Sequence, residues 1–341
     1  MLPIPPEGWG AVEKAIFQLS TALRTLGVET EIVNRPGHGR SLDEYRFALR
    51  LGSFLRGRSW DVLHASTPVV ANRISQLGHP FVYTSHSRHW FGTRGITERW
   101  GLHLERRAVR RAVRTIALTP EVAHAMREAV PGVEPSRLRV IPNGVDTSRY
   151  VPRPAERTGL RVLGVGAIHP RKRWHVGIGA LAQVPEAQVT LVGPVQDPAY
   201  AAELRRKAGG ASLTLAGEVP EAELCRLYGV SDVFFLPSGS ELMSLAAMEA
   251  LSSGLPVVGT SVLSGVVDAD RNGLLVPESQ DLARLEKDLG SALRSLLADQ
   301  ALRARLGAAG REKAVSTWDW TVIAKATLAL YSEIERSPRH P

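Results

Sequence analysis

Residues 234–258, FFLPSGSELMSLAAMEALSSGLPVV, are the stretch from which the fold of the whole chain can be predicted. An apolar run ends in a turn signal at residues 237–239, and a helical pattern then leads to Gly254 and a second apolar run. This pattern predicts a strand, a turn, a helix and a strand. Glu241 lies at the turn and Glu249 lies about two helical turns later, so both carboxylates can point towards one place. The free amides at such a helix N-terminus suit a diphosphate, and the carboxylates suit sugar hydroxyls; two solvated carboxylates are the alternative.

The spacing P-S-x-x-E-x(7)-E-A-x-x-x-G-x-P-V-V resembles the donor-site signature of retaining glycosyltransferases of family 4, which have the GT-B fold. The resemblance implies that Glu241 contacts hydroxyls of the transferred sugar and that Glu249 binds the nucleotide ribose. It also implies that backbone amides near Met243, Ser244 and Leu245 meet the leaving diphosphate. Where the family usually has Phe-Gly this chain has Met243-Ser244, so a narrower cradle or an added hydroxyl contact is expected there.

The composition is that of a globular protein with room for two domains: 341 residues, 44% hydrophobic and 22% charged. No apolar run reaches the ~18 residues of a membrane-spanning helix, and no N-terminal signal pattern is present. Cys225 is the single cysteine, which excludes an intrachain disulfide, and there is no C-x-x-C motif for zinc. We therefore expect a cytoplasmic protein.

The net positive charge of the chain comes entirely from its first half. Residues 1–145 carry 20 Lys and Arg against 12 Asp and Glu, whereas residues 146–341 carry 22 of each. This excess suggests an anionic partner, such as membrane headgroups, a lipid-linked phosphate or nucleic acid. The helical pattern over residues 98–114 predicts a stripe of Arg107, Arg110, Arg111 and Arg114 that could contact an anionic membrane or face solvent. Without interleaved aromatic residues, nucleic-acid binding is not expected.

Strands and helices alternate along the chain, which favours right-handed βαβ units and parallel sheets. In the first half, helices are predicted over residues 12–26, 42–55, 68–77, 98–114 and 120–129, and strands over residues 28–33, 60–64, 81–84, 113–118 and 138–141. In the second half, helices are predicted over residues 198–207, 221–228, 281–298, 300–314 and 318–334, and strands over residues 160–165, 188–192, 213–216 and 233–236.

The loop before the first helix resembles the glycine-rich loop that lies near the donor phosphates in the family, and Gly10 is the matching residue. The strand expected before this loop is reduced to residues 1–4. We therefore expect that the native start lies upstream or that the chain has been shortened.

Two histidines fall at the ends of predicted strands, where sites of α/β proteins gather. The sequence Val-Tyr-Thr-Ser-His ending at His86 resembles the family's strand whose terminal histidine contacts the donor sugar, so His86 is a candidate catalytic residue. His64 is the weaker candidate. His86 and His89 are three residues apart, but no third ligand with metal spacing is present, so no metal site is expected.

The sequence I-P-N-G-V-D over residues 141–146 resembles the family's crossing between its two domains, and the charge imbalance ends at the same place. We therefore expect an N-terminal acceptor-side domain over residues 1–146. A C-terminal nucleotide-sugar-binding domain over residues 147–316 should follow. Residues 317–341 should form a helix that crosses back to the N-terminal domain.

The loop after the first strand of the second half resembles the family's V-G-R-x(4)-K motif, in which the Arg and the Lys grip the donor diphosphate. Lys172 matches the lysine, but Ala167 stands where the family has arginine. A neighbouring guanidinium, that of Arg171 or Arg173, could reach the diphosphate instead.

Together these motifs predict an α/β protein of the GT-B fold, in which two Rossmann-like domains with parallel sheets face each other across a cleft. The expected activity is retaining transfer of a hexose from a UDP- or GDP-sugar to a hydroxyl of a glycan, lipid-linked or small-molecule acceptor. No metal cofactor is expected, because Lys172 and helix amides can meet the charge of the leaving group. The alternatives are a GT-B phosphorylase, a nucleotide-sugar epimerase, or a non-catalytic scaffold suggested by Ala167, Ser244 and the shortened first strand.

Overall fold

The computed structural model describes residues 11–33, 41–87, 89–91, 95–154, 160–209 and 212–335. Within these ranges the helices are α1 (Ala11–Thr25), α2 (Ser41–Leu55), α3 (Pro68–Gln76), α4 (Ile96–Arg111), α5 (Pro120–Ala129), α6 (Trp174–Leu181), α7 (Pro198–Ala208), α8 (Glu221–Val230), α9 (Leu245–Ser252), α10 (Leu282–Ala298), α11 (Gln300–Lys313) and α12 (Trp320–Glu335). The strands are β1 (His64–Ala65), β2 (Val82–Ser85), β3 (Arg114–Ala117), β4 (Leu138–Val140), β5 (Arg161–Val165), β6 (Gln188–Val192), β7 (Leu213–Gly217), β8 (Val233–Leu236), β9 (Val257–Thr260) and β10 (Gly273–Val276).

The chain divides into two compact units. The first unit comprises Met1–Gly144 and Trp320–Pro341, and the second comprises Val145–Asp319. In the described part of the first unit, four parallel strands form a sheet in the order β1-β2-β3-β4. Its core joins Val82, Ile116 and Ile141 of the sheet to Ile323 and Leu330 of α12. The C-terminal helix therefore completes the hydrophobic core of the first unit.

The second unit has a six-stranded sheet, counted over its described residues, in the order β10-β9-β8-β5-β6-β7. All its pairs are parallel, and every residue of β8 and β9 is buried, as expected for strands covered by helices on both faces. The chain leaves the central strand β5 towards β6 and later returns on its other side to β8. Loops at the carboxyl ends of β5 and β8 therefore meet where the strand order reverses, which is where such sheets bind ligands.

The α/β class with two parallel sheets, predicted from the alternation of strands and helices, is confirmed. Two local predictions in the first unit were wrong. Residues 28–33 form no strand, because Thr30 bonds to α1 instead: Arg24 donates to its carbonyl at 2.7 Å and its hydroxyl lies 2.6 Å from that of Ser20. Arg114 does not extend the arginine stripe, because the backbone turns to an extended conformation at Ala112 and Arg114 begins β3.

The segment after Asn272 adds the last strand to the second sheet. Asn272 closes a tight turn by accepting the Asp268 amide at 2.9 Å, and β10 then joins the sheet parallel to β9.

Among the described residues, no helix is both long and apolar enough to cross a bilayer.

Candidate functional site

The loop after β5 packs backbone to backbone against the loop after β6. Gly166 has a φ of +154°, and its amide donates to the Val192 carbonyl at 2.8 Å. A Cβ on Gly193 would lie 2.3 Å from the Gly166 carbonyl oxygen, and a Cβ on Gly166 would lie 3.1 Å from Cε of Lys172. Only glycines allow this approach. The lack of a side chain at Gly166 lets the Lys172 side chain pack directly on the backbone of this loop.

Lys172 bridges the loops that follow β5 and β8. Its Nζ donates to Oε1 of Glu241 at 2.7 Å, and the two side chains are only 14% and 13% exposed. Lys172 ends the short helical turn Pro170–Lys172, in which the His169 ring accepts the Arg171 amide at 3.2 Å. Both groups lie at the switch point of the sheet, where ligands bind in such folds. The ammonium can donate to a phosphate instead of to Glu241, and the carboxylate can accept from a sugar hydroxyl instead of from Lys172.

The two arginines beside Lys172 lie in different surroundings. Arg173 directly precedes α6, has a left-handed backbone with φ +54°, and donates to Glu278. Its guanidinium packs on Gly239 of the β8 loop, where a Cβ would lie 2.7 Å from Arg173 Cζ. The Arg171 carbonyl accepts the Gly239 amide at 3.3 Å, and the Arg171 side chain is exposed.

The N-terminus of α9 follows the β8 loop. Ser244 is buried and caps the helix, because its hydroxyl accepts the Ala247 amide at 3.4 Å. The hydroxyl is thus used within the helix, which is the physical role of the serine that replaces the family's glycine. Met243 before it is buried as well, and Leu245 begins the first helical turn. The first amides of a helix have no carbonyl partner within that helix, so an anion could use them as donors.

Glu249 lies one turn further along α9 and is bound by a tyrosine. The Tyr228 hydroxyl of α8 donates to Glu249 Oε2 at 2.9 Å, and burial, followed by the Glu249 charge, raises the pKa of Tyr228 well above its ordinary value. The Tyr150 ring lies edge-on against Tyr228, with the ring centroids 5.5 Å apart. Sequence reasoning missed both tyrosines, because Tyr228 lies 21 residues from Glu249 in sequence and Tyr150 lies farther still.

The first unit places His64 and His86 beside a cavity of about 40 Å³ that Thr84 and Asn143 also line. His64 Nδ1 lies 2.6 Å from the Tyr331 hydroxyl and its Nε2 lies 2.7 Å from the Thr84 hydroxyl, so both ring nitrogens serve the fold. Burial lowers the pKa of His64 to about 4, with His86 as the second cause. His86 is half-buried at the end of β2, and burial lowers its pKa to about 4 as well. Both rings are therefore neutral at pH 7.

A buried polar network holds the end of β2. Oε2 of Glu105 accepts from the Tyr83 hydroxyl at 2.6 Å and from the Ser85 hydroxyl at 2.9 Å. The Trp90 indole donates to the Ser85 hydroxyl at 2.9 Å, which ties the His89–Phe91 turn to the strand. Burial raises the pKa of Glu105 to about 7. The network therefore fixes Ser85, the residue directly before His86.

The motifs and this geometry agree with what comparison with known proteins shows. Two family models match the chain: Glycosyltransferase Family 4 over residues 11–149 and Glycosyl transferases group 1 over residues 159–299. A glycogen synthase of Mycobacterium tuberculosis is 31% identical over 318 residues, covering 87% of this chain and 75% of the relative. The chain belongs to glycosyltransferase family 4. It is a nucleotide-sugar-dependent glycosyltransferase.

Other relatives support the same assignment for this glycosyltransferase. An alpha-maltose-1-phosphate synthase of Mycobacterium tuberculosis is 27% identical over 380 residues, covering 97% of both chains. The solved structure of sucrose-phosphate synthase from Thermosynechococcus elongatus superposes with a TM-score of 0.80 at 23% identity, covering 95% of this chain and 94% of that one. Anabaena HepE, in complex with UDP and glucose, superposes with a TM-score of 0.76 at 20% identity, covering 95% and 96%. The GT-B fold is therefore confirmed.

The structure brings together Lys172 and Glu241, and it gathers Met243, Ser244, Leu245 and Glu249 on one short helix and the loop before it. Gly10 lies outside the described residues. Among the residues that the structure describes, no group of three or more His, Cys, Asp or Glu side chains could hold a metal ion in the glycosyltransferase.

Proposed function

We propose that this glycosyltransferase transfers a hexose from a nucleoside diphosphate sugar to an acceptor hydroxyl with retention of the anomeric configuration. The observation that carries the proposal is the Lys172–Glu241 pair at the switch point of the second sheet. A bound donor supplies a partner for each of these two side chains. The diphosphate is an acceptor for the ammonium, and the sugar hydroxyls are donors for the carboxylate.

In the proposed reaction the bond between the anomeric carbon and the diphosphate oxygen breaks, and the acceptor oxygen attacks from the same face. The acceptor proton passes to the departing diphosphate. Lys172 and the amides at the start of α9 meet the charge that develops on that leaving group. Glu241 orients the sugar through its hydroxyls, and Glu249 holds the ribose. NMR of the product should show the donor's own anomeric configuration; the opposite anomer would overturn the retaining reaction.

We assign the second cationic contact to the diphosphate to Arg171. Ala167 cannot supply the charge that its position has in the family, and Arg173 is occupied by Glu278. The Arg171 side chain is exposed at the loop that carries Lys172. Arg171→Ala should raise the donor KM about tenfold, as for loss of one charged hydrogen bond. Unchanged donor binding in both Arg171→Ala and Arg173→Ala would show that neither arginine replaces the missing one.

The choice of base is open between uridine and guanosine, and UDP-sugars are the first to test because the HepE structure was solved with UDP and glucose. For the acceptor, the excess positive charge of residues 1–145 favours an anionic or lipid-linked molecule over a neutral small molecule. It also favours contact of the enzyme with an anionic membrane. Transfer rates to matched neutral and phosphate-bearing acceptors test this choice, with a preference for the neutral one as the contradicting result.

A further inference from the structure

The outward face of α4 carries an unusual arrangement of residues. Glu105, Ala108 and Val109 form its buried face. On the opposite face Ile96 is 87% exposed and Trp100 is 55% exposed. The residues that follow them at helical spacing, in steps of three or four, are exposed too: His103, Arg107 and Arg110. The solvent-facing side of the helix is thus apolar in its first half and cationic in its second half.

Neighbouring elements extend the apolar half into a surface. On α2, Tyr45 and Leu49 are one turn apart, and Leu49 is 70% exposed. The Trp100 indole donates to the Tyr45 hydroxyl at 3.1 Å, which joins the two helices at this point. Phe91, 57% exposed, ends the turn that packs on α4 through His89, at Gly101. We call Tyr45, Leu49, Phe91, Ile96 and Trp100 the apolar face.

A cationic groove adjoins the apolar face and shares Leu49 with it. This groove between α2 and α3 has a volume of about 440 Å³, and its charged or titratable lining residues are Arg56, Arg73 and His79. Arg73 Nε is buried without a hydrogen-bond partner among the described residues, and Nη1 donates to Gln76 Oε1 at 3.4 Å. No residue that lines the groove in the described structure carries a carboxylate. The groove is therefore suited to an anionic group.

Basic residues outnumber acidic residues on α2 and α4 by seven to four, so the acidic residues do not cancel this charge. On α2, Asp43 lies 3.5 Å from Arg46. Glu44 is half-buried, as is Glu98 on α4. Four arginines of α4 are exposed to solvent: Arg99, Arg107, Arg110 and Arg111.

We propose that the apolar face and the arginines beside it dock the protein on an anionic lipid bilayer. Tryptophan and tyrosine favour the level of the lipid headgroups, and exposed isoleucine, leucine and phenylalanine can enter the acyl boundary beneath. The arginines of α4 then meet the lipid phosphates, and the groove with Arg56 and Arg73 accepts one headgroup. A single helix that presents aromatic and aliphatic side chains next to a block of arginines matches the layered chemistry of such a surface. The inference does not depend on which sugar or acceptor the enzyme uses.

Vesicle sedimentation tests the electrostatic part of the proposal. The protein should sediment with vesicles of phosphatidylcholine and 30% phosphatidylglycerol, and remain in solution with pure phosphatidylcholine. Arg107→Ala/Arg110→Ala should lower the partition coefficient about 30-fold. The matched control is Arg205→Ala/Arg206→Ala, which removes two exposed arginines from α7 in the second unit and should bind as the parent does. An equal loss in the control, or no sedimentation of the parent with either vesicle, would overturn the proposal; in the latter case a protein partner would be the occupant to seek.

Fluorescence quenching tests the apolar part. With brominated lipid in the anionic vesicles, Trp100 should be quenched in the parent, and Trp100→Phe should still sediment but lose most of that quenching. Ile96→Ser/Leu49→Ser should sediment at least tenfold more weakly while retaining the parent's thermal unfolding, since both side chains are largely exposed in the fold. Quenching that persists in Trp100→Phe, or full binding of Ile96→Ser/Leu49→Ser, would show that the apolar face does not enter the bilayer.

Discussion

Lys172 Nζ lies 2.7 Å from Oε1 of Glu241, and this contact joins two loops that leave neighbouring central strands of the second sheet. Each partner is nearly buried, so each depends on the other for its hydrogen bond. A diphosphate and a sugar hydroxyl would relieve both when the donor binds. In the proposed reaction the pair would exchange its mutual hydrogen bond for contacts to the donor.

This relationship predicts non-additive effects of substitution. Lys172→Met and Glu241→Gln should each destabilise the protein by about 1–3 kcal/mol, because each leaves a buried polar group without its partner. The double variant should lose less than the sum of the two. Both single variants should lower kcat by about 10²–10³-fold. Strictly additive unfolding free energies in urea, with Lys207→Met/Glu286→Gln as an exposed ion-pair control, would contradict coupling between the two side chains.

The bond from Tyr228 to Glu249 predicts a donor-specific defect. Tyr228→Phe should cost about 1 kcal/mol of stability and should raise the KM for the donor without changing the KM for the acceptor. Tyr200→Phe is the matched control, because it removes a buried hydroxyl that bonds to His175 in the same unit. An equal change of donor KM in the two variants would mean that Glu249 is not positioned through Tyr228.

Glu105 predicts a stability that falls as the pH rises. Burial raises its pKa from 4.5 to about 7, so the folded protein keeps a proton that the unfolded chain has released between these values. The free energy of unfolding should therefore decrease between about pH 4.5 and pH 7, by up to about 1.4 kcal/mol per pH unit. Glu105→Gln keeps an oxygen for Tyr83 and Ser85 and should lose this contribution. A difference between parent and variant that does not change over this range would contradict the raised pKa.

His86 predicts the opposite slope. Its pKa is lowered from 6.5 to about 4, so the unfolded chain binds a proton between these values that the fold excludes. Stability should rise from about pH 4 to pH 6.5, with His64 adding a parallel contribution. In His86→Gln the free energy of unfolding should rise less steeply, by up to about 1.4 kcal/mol per pH unit. Proton uptake by His86 near pH 6.5, followed by NMR of its ring protons, would be inconsistent with its burial.

The second unit could be predicted closely because its elements are local and strongly patterned. The β8–α9–β9 segment has two apolar runs, a turn and a capped helix in consecutive residues, and the structure places β8 at residues 233–236 as predicted. Residues 28–33 were predicted as a strand from the alternating pattern of the chain. Thr30 in this stretch accepts two hydrogen bonds from Arg24 of α1, which a single stretch of sequence cannot indicate.

The buried network around Glu105 shows why part of the first unit escaped prediction. Glu105 stands among the arginines of α4, so it resembles an ordinary charge on a solvated helix. One signal was available, because Glu105 falls on the same face as Ala108, Val109 and Ala112, which are apolar and buried. Its partners Tyr83 and Ser85 lie 22 and 20 residues away in sequence, and only the fold brings them to it.

Donor binding tests the proposed activity most directly, through thermal unfolding in the presence of UDP-, GDP- and ADP-sugars. One nucleotide sugar at 100 times its dissociation constant should stabilise the parent by about 2.7 kcal/mol. The stabilisation should be lost in Lys172→Met and in Glu249→Ala, and it should persist in Lys207→Met. No stabilisation by any nucleotide sugar, or the same stabilisation in Lys172→Met as in the parent, would contradict a donor site at this switch point.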